Sequence, residues 1–320
     1  MTGAPPLRIV FMGTPVEVAI ILQKMVEMAC PPIAVVTQGD KARGRGLKVS
    51  GSPVKSLAEK LHIPVFQPES WGSPESVDWL KKQNPDAVLI AAYGHILPKG
   101  ILKIPRLGFF NVHASLLPKF RGAEPVRWAI LSGEKETGVT FFQLEGGVDA
   151  GPVVIQSHLP IEKNDDAGIL TQKIFAHAAE LLPEFLQKIS TPKFVPTPQS
   201  GDPGPRARKF TNAESEIMWK SPAAKLLLHI RAMSPEPGAF TWMEGKRLRV
   251  FRAEVGSEEV VHPPGTIHMV DADKGLGVST SDKVLWLREL QLEGRKRLPA
   301  PAFLQGQKNI IPLLKLGTAE

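Results

Sequence analysis

Asn111 and His113 stand two positions apart at the end of the apolar run Leu107-Gly108-Phe109-Phe110-Asn111-Val112-His113. Side chains alternate faces along a strand, so Asn111 and His113 point one way and Val112 the other. Downstream, Asp149 sits in the glycine-bracketed stretch Gly146-Gly147-Val148-Asp149-Ala150-Gly151, between apolar runs at 139–144 and 153–155. If those runs are neighbouring strands, the carboxylate reaches the same spot as the amide and the imidazole. An amide donor, an imidazole donor or base, and a carboxylate to orient the imidazole suit acyl-type transfer. Each residue alone also has a plainer reading, as a turn former or a satisfied cap. Their joint occurrence points to chemistry.

The elements that must hold this set alternate in type. Residues 7–12 read as a buried parallel strand, followed by Gly13-Thr14-Pro15 and a helix over 16–28, with Thr14 at the N-cap and Pro15 at the first helical position. A strand is expected at 33–37, a polar glycine-rich loop at 38–52, helices at 53–61 and 74–83, and strands at 86–91 and 107–112. A long amphipathic helix over 166–189 closes this part. Strand–helix alternation predicts an α/β architecture built on a Rossmann-like, mostly parallel sheet. The first strand–turn–helix has one glycine and lacks G-x-G-x-x-G, and P-loop spacing is absent, so a nicotinamide or flavin cofactor is not supported. Residues 191–206 are rich in Pro, Gly, Ser and Thr and read as a linker. Beyond it, a helix at 224–233 precedes short strands near 239–242, 248–253, 265–269, 277–279 and 284–292. That pattern suggests a C-terminal OB-like β-barrel. The expected division is 1–190, a linker at 191–206, and 207–320.

Composition fits an ordinary globular chain of 320 residues, 42% hydrophobic and 22% charged. No apolar run is long enough to cross a bilayer. The first residues lack a basic segment followed by an apolar one, which argues against secretion and for a cytoplasmic location. The single cysteine, Cys30, has no internal disulfide partner and reads as inert packing. No Cys/His cluster has metal-ligand spacing, so no metal is expected. The formal net charge is +7. Residues 1–204 hold 21 Lys and Arg against 19 Asp and Glu, and residues 205–320 hold 18 against 13. The excess falls mainly in the smaller C-terminal part and suggests a polyanionic partner, nucleic acid first.

Several stretches, in order, resemble the methionyl-tRNA formyltransferase family. They are Ile9-Val10-Phe11-Met12-Gly13-Thr14-Pro15; Gly44-Arg45-Gly46 with Ser52-Pro53-Val54-Lys55; Ala91-Ala92-Tyr93-Gly94-His95-Ile96-Leu97-Pro98; Asn111 to Pro118; Arg121-Gly122-Ala123; and Glu136-Thr137-Gly138-Val139-Thr140. Arg231-Ala232, Pro237-Gly238-Ala239, Leu290-Gln291 and Gly294-Arg295-Lys296-Arg297 extend the resemblance into the second half. The Asn…His…Asp set and the turn Ser115-Leu116-Leu117-Pro118 are shared with glycinamide ribonucleotide and sugar-nucleotide formyltransferases. The basic C-terminal part favours a tRNA substrate over these. A third reading, of another class, is a non-catalytic tRNA-binding protein. The chain departs from the family pattern at Gly39, where Pro is usual before Asp40, and at Leu47, where Lys is frequent. It departs again at Glu124, often a small residue, and at Arg127, where Gln is common.

The resemblance implies a formyltransferase fold and transfer of a formyl group from 10-formyltetrahydrofolate to the amino group of methionine on initiator Met-tRNA. It implies that Asn111 and His113 stabilise the developing oxyanion, while Asp149 orients His113, raises its basicity and helps take the amine proton. Ser115, Leu116, Leu117 and Pro118 are expected in the folate site. An apolar slot for a pteridine would also suit Ile90, Tyr93, Gly94, Ile96 and Leu97. The basic loop with Lys41, Arg43, Arg45 and Lys48 resembles the family's insertion that meets the acceptor stem. Arg206, Arg208 and Lys209 begin a basic track after the linker, with Arg247, Arg249 and Arg295 to Arg297 as further candidates. Nothing in the sequence suggests an obligate dimer, so a monomer is expected.

Overall fold

A computed structural model describes residues 7–43, 48–306, 310 and 312–317. The chain forms two compact units. One comprises Met1–Gly122, Glu136–Pro160 and Thr171–Ala207; the other comprises Ala123–Lys135, Ile161–Leu170 and Arg208–Glu320.

The first unit is built on a seven-stranded sheet. Its strands are β1 (Ile9–Gly13), β2 (Ala34–Val36), β5 (Val65–Phe66), β6 (Ala87–Ala91), β7 (Phe109–His113), β8 (Glu136–Gln143) and β9 (Val153–Pro160), in the spatial order β5-β2-β1-β6-β7-β8-β9. The strands from β5 to β7 run parallel, and β8 and β9 continue antiparallel. This is the mostly parallel α/β sheet the alternation predicts. β1 and β6 are buried along their whole length, as continuous apolar runs in a sheet covered on both faces must be. The helices α1 (Ala19–Glu27), α2 (Pro53–Lys60) and α3 (Pro74–Gln83) lie between these strands in the chain, and α5 (Ala167–Ser190) follows β9. Phe185 of α5 packs its ring against Phe110 of β7 and Phe141 of β8, seating the helix on the strands that carry the candidate site.

Two local expectations change. Thr14 does not cap a helix: a 3-10 turn, Val16–Val18, precedes α1 and has Pro15 at its N-cap position. The Thr14 hydroxyl instead donates to the Tyr93 carbonyl at 3.3 Å, so a contact across the sheet wins over the local cap. The stretch read as a loop holds an antiparallel ribbon, β3 (Lys41–Arg43) and β4 (Lys48–Ser50). Its base is fastened by Asp40, which accepts from Lys55 Nζ at 2.8 and 2.9 Å and from Gln67 Nε2 at 2.8 Å. Those bonds, Lys55 first, hold the Asp40 carboxyl below its ordinary range. Ser52 caps α2 by accepting from Lys55 N, which accounts for the Ser52-Pro53-Val54-Lys55 string as a helix start.

The second unit carries an antiparallel sheet. β10 (Ala239–Met243), β11 (Lys246–Val255), β14 (Val284–Leu292), β13 (Gly275–Ser279) and β12 (Ile267–Asp271) lie side by side in that order, and β15 (Leu298–Pro299) pairs with β14. Residues 313–317 run beside β12, and Gly317 N reaches Trp242 O of β10 at 3.1 Å. The two edges of the sheet are thereby bridged, which is how a barrel avoids open strands. Its core gathers Leu248, Val250, Leu276, Val278, Leu285, Leu287 and Leu290 with Leu226 and Ile230 of α6 (Ala223–Met233). α4 (Pro125–Leu131) and α7 (Ala300–Gln305), neither expected from the sequence, also form.

Glu124 and Arg127, two departures from the family pattern, meet in this unit: Arg127 Nη1 lies 3.1 Å from Glu124 Oε2. Glu124 Oε2 also accepts from Phe210 N at 3.2 Å, and Arg127 donates to the Glu236 carbonyl. The two departures thus form one ion pair that ties the start of α4 to neighbouring backbone.

Among the described residues, no helix is long and apolar enough to cross a membrane, and no group of three or more His, Cys, Asp or Glu is placed to hold a metal ion. Cys30 is half-buried, which pushes its thiol upward.

Candidate active site

The site forms at the end of β7. Asn111 pairs in register with Phe142 of β8, and His113 with Thr140. β8 then turns into β9, and Asp149 lies in that connection. The strands are therefore neighbours, as convergence of the three polar groups requires. The connection is tight because a Cβ on Gly151 would stand 1.8 Å from the Gln143 carbonyl oxygen, so glycine alone fits there. Asp149 itself adopts left-handed backbone with φ +48°, a conformation that Asp tolerates better than most residues.

His113 is buried, with 5% of its surface exposed. Its Nε2 lies 3.0 Å from the Phe120 carbonyl oxygen. A carbonyl only accepts, so Nε2 carries the hydrogen. The other nitrogen, Nδ1, faces Asp149 Oδ2 at 3.8 Å. That separation is too long for a direct hydrogen bond. It leaves a point roughly 2.8 Å from both atoms for a third polar atom. The imidazole is thus oriented by the Phe120 carbonyl, and Nδ1 becomes a donor only when the ring is protonated. The same oxygen, Asp149 Oδ2, accepts from Gly122 N at 2.8 Å, which holds the carboxylate in place.

The turn 115–118 beside this set is held from β8. Thr140 is fully buried. Its hydroxyl donates to Ser115 O at 2.6 Å and accepts from Leu117 N at 3.2 Å and Gln156 Nε2 at 3.0 Å. Gln156 also donates to Leu117 O at 2.8 Å. Ser115 Oγ donates to Lys119 O at 2.7 Å. Leu116 lies over Gly138, where a Cβ would come within 2.5 Å of its side chain. The string Glu136-Thr137-Gly138-Val139-Thr140 is thus a support for the turn. Thr140→Val keeps the volume and strips the hydroxyl, leaving Ser115 O and Leu117 N unpartnered. The expected cost is about 1–3 kcal/mol of unfolding free energy, read as a lowered urea midpoint. An unchanged midpoint would contradict this support.

The residues expected to line a folate slot divide in two. Ile90 and Tyr93 are buried in the core of the first unit. The Tyr93 hydroxyl accepts from Trp71 Nε1 at 3.0 Å, and burial raises its pKa. Leu117 is buried as well, while Leu116, Pro118 and Leu97 are half-buried. Gly94 is exposed at φ +83°, and the Ile96 side chain stands 95% exposed. Across from it, a Cβ on Gly146 would meet Lys99 Cε at 3.3 Å, so the loop after β6 adjoins the β8–β9 connection. Val148 there is 55% exposed. Two exposed apolar side chains thus stand on adjoining loops, Ile96 after the carboxyl end of β6 and Val148 next to Asp149.

Of the basic residues, Arg45 lies outside the described residues. Lys41 is exposed and donates to Gln38 Oε1 at 2.8 Å. Arg43 and Lys48 stand opposite each other in the ribbon's register. Arg206 and Lys209 are exposed. Arg208 instead pairs bidentately with Glu214 and lies over the rings of Trp128 and Phe210. That pairing, helped by bonds from Thr211, brings the Glu214 carboxyl down to about 2, so the Arg208 charge is matched within its own unit. Arg247 stacks on Phe240 at 3.8 Å and Arg297 on Phe251 at 4.1 Å.

Sequence reasoning missed part of the surroundings. Gln199 donates to Asp149 O at 2.8 Å and Gly151 O at 2.7 Å, and its Oε1 accepts from Arg121. Thr197 bridges Val153, and Ala207 bridges Gly122. The stretch read as a linker is therefore pinned at Thr197 and Gln199, and the chain is pinned again just past it at Ala207. Thr140 and Arg121 stood inside recognised strings and gave a usable signal; Gln156 and Gln199 gave none.

Comparison with known proteins now defines the class. Residues 7–186 match the family model described as formyl transferase, and residues 209–308 match the model described as formyl transferase, C-terminal domain. The chain is a formyl transferase. It is 42% identical over 301 residues to the methionyl-tRNA formyltransferase of Caldanaerobacter subterraneus subsp. tengcongensis, covering 94% of this chain and 97% of that one. The corresponding protein of Geobacter sulfurreducens is 38% identical over 313 residues, covering 98% of each. The chain belongs to the methionyl-tRNA formyltransferase family. Its fold is similar to that of HypX from Aquifex aeolicus in complex with tetrahydrofolic acid, at a TM-score of 0.67 and 18% identity, over 96% of this chain and 48% of that one. It is similar also to the sugar 3N-formyl transferase WlaRD, at a TM-score of 0.64 and 17% identity, over 92% of this chain and 100% of that one.

Proposed function

We propose that this enzyme transfers the formyl group of 10-formyltetrahydrofolate to the amino group of methionine on initiator Met-tRNA, with Asn111, His113 and Asp149 as the reacting set. The observation that carries the reading is the facing of His113 Nδ1 and Asp149 Oδ2 across 3.8 Å. A free α-amino group has a pKa near 7.7–8.0, so a useful fraction is already a neutral nucleophile at pH 7. No covalent enzyme intermediate is needed. As the amine attacks the formyl carbon, its oxygen gains negative charge, and the Asn111 amide and a protonated His113 Nδ1 are the donors that meet it. The C–N bond to the folate then breaks as the new amide forms, and the folate nitrogen leaves carrying a proton relayed from the amine. Asp149 accepts the proton leaving the amine, through a water at the shared point, and passes it on to that nitrogen. The exposed Ile96 and Val148, with the half-buried Leu116 and Leu97, provide apolar surface for the pteridine, and Ser115 and Pro118 frame the turn beside it. Ile90, Tyr93 and Leu117 support that wall from beneath, and Gly94 leaves room for the ligand to approach backbone.

The polyanionic partner is met by Lys41, Arg43 and Lys48 of the ribbon, by Arg45, and by Arg206 and Lys209. Arg208 serves to hold its own segment. Phosphate contacts release counterions, so Met-tRNA affinity is expected to fall linearly on a log–log plot against salt, by roughly 0.7–0.9 log units per decade for each phosphate engaged. Affinity indifferent to salt would refute this electrostatic account.

The deciding assay supplies the purified protein with 10-formyltetrahydrofolate and, in turn, initiator Met-tRNA, elongator Met-tRNA, glycinamide ribonucleotide and an amino-sugar nucleotide. Formylation of initiator Met-tRNA alone is expected. Formylation of a small nucleotide in preference, or tRNA binding without transfer, would overturn the reading.

A further inference from the structure

Asp149 sits in a strained conformation on a glycine-flanked connection, yet its carboxylate has to face His113 with little play. The hydrogen bonds around it form a closed circuit. Gln199 Nε2 donates to Asp149 O at 2.8 Å and to Gly151 O at 2.7 Å, one hydrogen to each carbonyl. Gln199 Oε1 accepts from Arg121 Nε at 3.1 Å and Nη2 at 2.6 Å. A guanidinium only donates, so the oxygen of the amide must face Arg121 and its nitrogen must face the connection. Arg121 leads directly into Gly122, whose N–H donates to Asp149 Oδ2 at 2.8 Å. Gln199 is itself anchored by the paired bonds between Thr197 and Val153, at 2.7 and 2.8 Å. Backbone and side chain of Asp149 are thus gripped from two ends of one circuit.

We propose that Gln199 is a positioning residue for Asp149: it clamps the backbone on either side of Ala150 and so holds the Asp149 carboxylate opposite His113 Nδ1. The proposal rests on the reading of Asn111, His113 and Asp149 as the reacting set. A displaced reacting group costs far more in turnover than in binding, because substrate contacts remain while alignment is lost.

The test uses the full chain and steady-state formylation of Met-tRNA, with Gln199→Ala and Gln199→Glu each made alone and with Asp149→Asn. Glutamate keeps an acceptor for Arg121 but has no donor for the two carbonyls, so it separates holding the connection from merely anchoring the segment. Both single variants are expected to lose on the order of 10- to 100-fold in kcat, with KM for folate and for tRNA within about twofold of the original. In the Asp149→Asn background neither is expected to lower kcat further, because the group being positioned is already disabled. Near-normal kcat for Gln199→Glu, or a loss that multiplies in full with that of Asp149→Asn, would overturn the proposal. If Asp149→Asn alone leaves kcat unchanged, the reacting set itself is wrong and the proposal goes with it, a result distinct from an impaired Asp149→Asn with silent Gln199 variants.

Discussion

Asn111→Ala lowers turnover by about 10²–10³, roughly 3–4 kcal/mol of barrier, while the folded protein keeps close to its original stability. The side chain of Asn111 is half-buried at the end of β7, whose backbone pairing to Ile90 on one side and Phe142 on the other does not depend on it. Alanine therefore removes a donor without disturbing the ladder. The amide strengthens its bond only as the formyl oxygen charges, so the loss falls on kcat and kcat/KM together, with KM for both substrates little changed. Single-turnover formylation with saturating Met-tRNA measures it. Turnover within a few-fold of the original would remove Asn111 from the chemistry.

The second large effect is expected for Asp149→Asn. Asparagine tolerates φ +48° and can still accept from Gly122 N, so the shape of the connection is retained. What goes is the carboxylate that faces His113 Nδ1 and receives the departing proton. The expected loss in kcat is about 10²–10⁴, with thermal stability close to that of the original. Asp149→Ala adds the loss of the acceptor for Gly122 N and is expected to unfold about 1 kcal/mol more easily. Full activity of purified Asp149→Asn would leave His113 without its partner and end the assignment.

The parts of this molecule legible in its sequence are those fixed by local pattern. Continuous apolar runs marked β1, β6 and β7, and period-two alternation put Asn111 and His113 on one face. Asp149 stood out because glycines bracketed it, and Gly151 proves to be the one that sterics demand. α4 went unseen because a seven-residue helix opening on Pro125 offers too little periodicity to read. The Thr14 cap failed because the Tyr93 carbonyl, from a neighbouring strand connection, competes for the same hydroxyl. The pinned stretch beyond α5 was hidden for a related reason. Proline and glycine content reports that no helix or strand can run there; it carries no information about which distant backbone groups a single glutamine will meet.

Membership of the two units has a practical consequence. The chain passes from one to the other after Gly122, Lys135, Pro160, Leu170 and Ala207. A protease nick or a gene truncation after Lys135, Pro160 or Leu170 divides both units, one after Gly122 divides the first, and one after Ala207 divides the second. A fragment beginning at Arg208 lacks α4, with its buried Val126, Ala129 and Ile130, and would bare the surface of α6 that those side chains cover. Such a fragment should be sticky and short-lived on its own. The two units alternate along the chain and are not modules joined end to end.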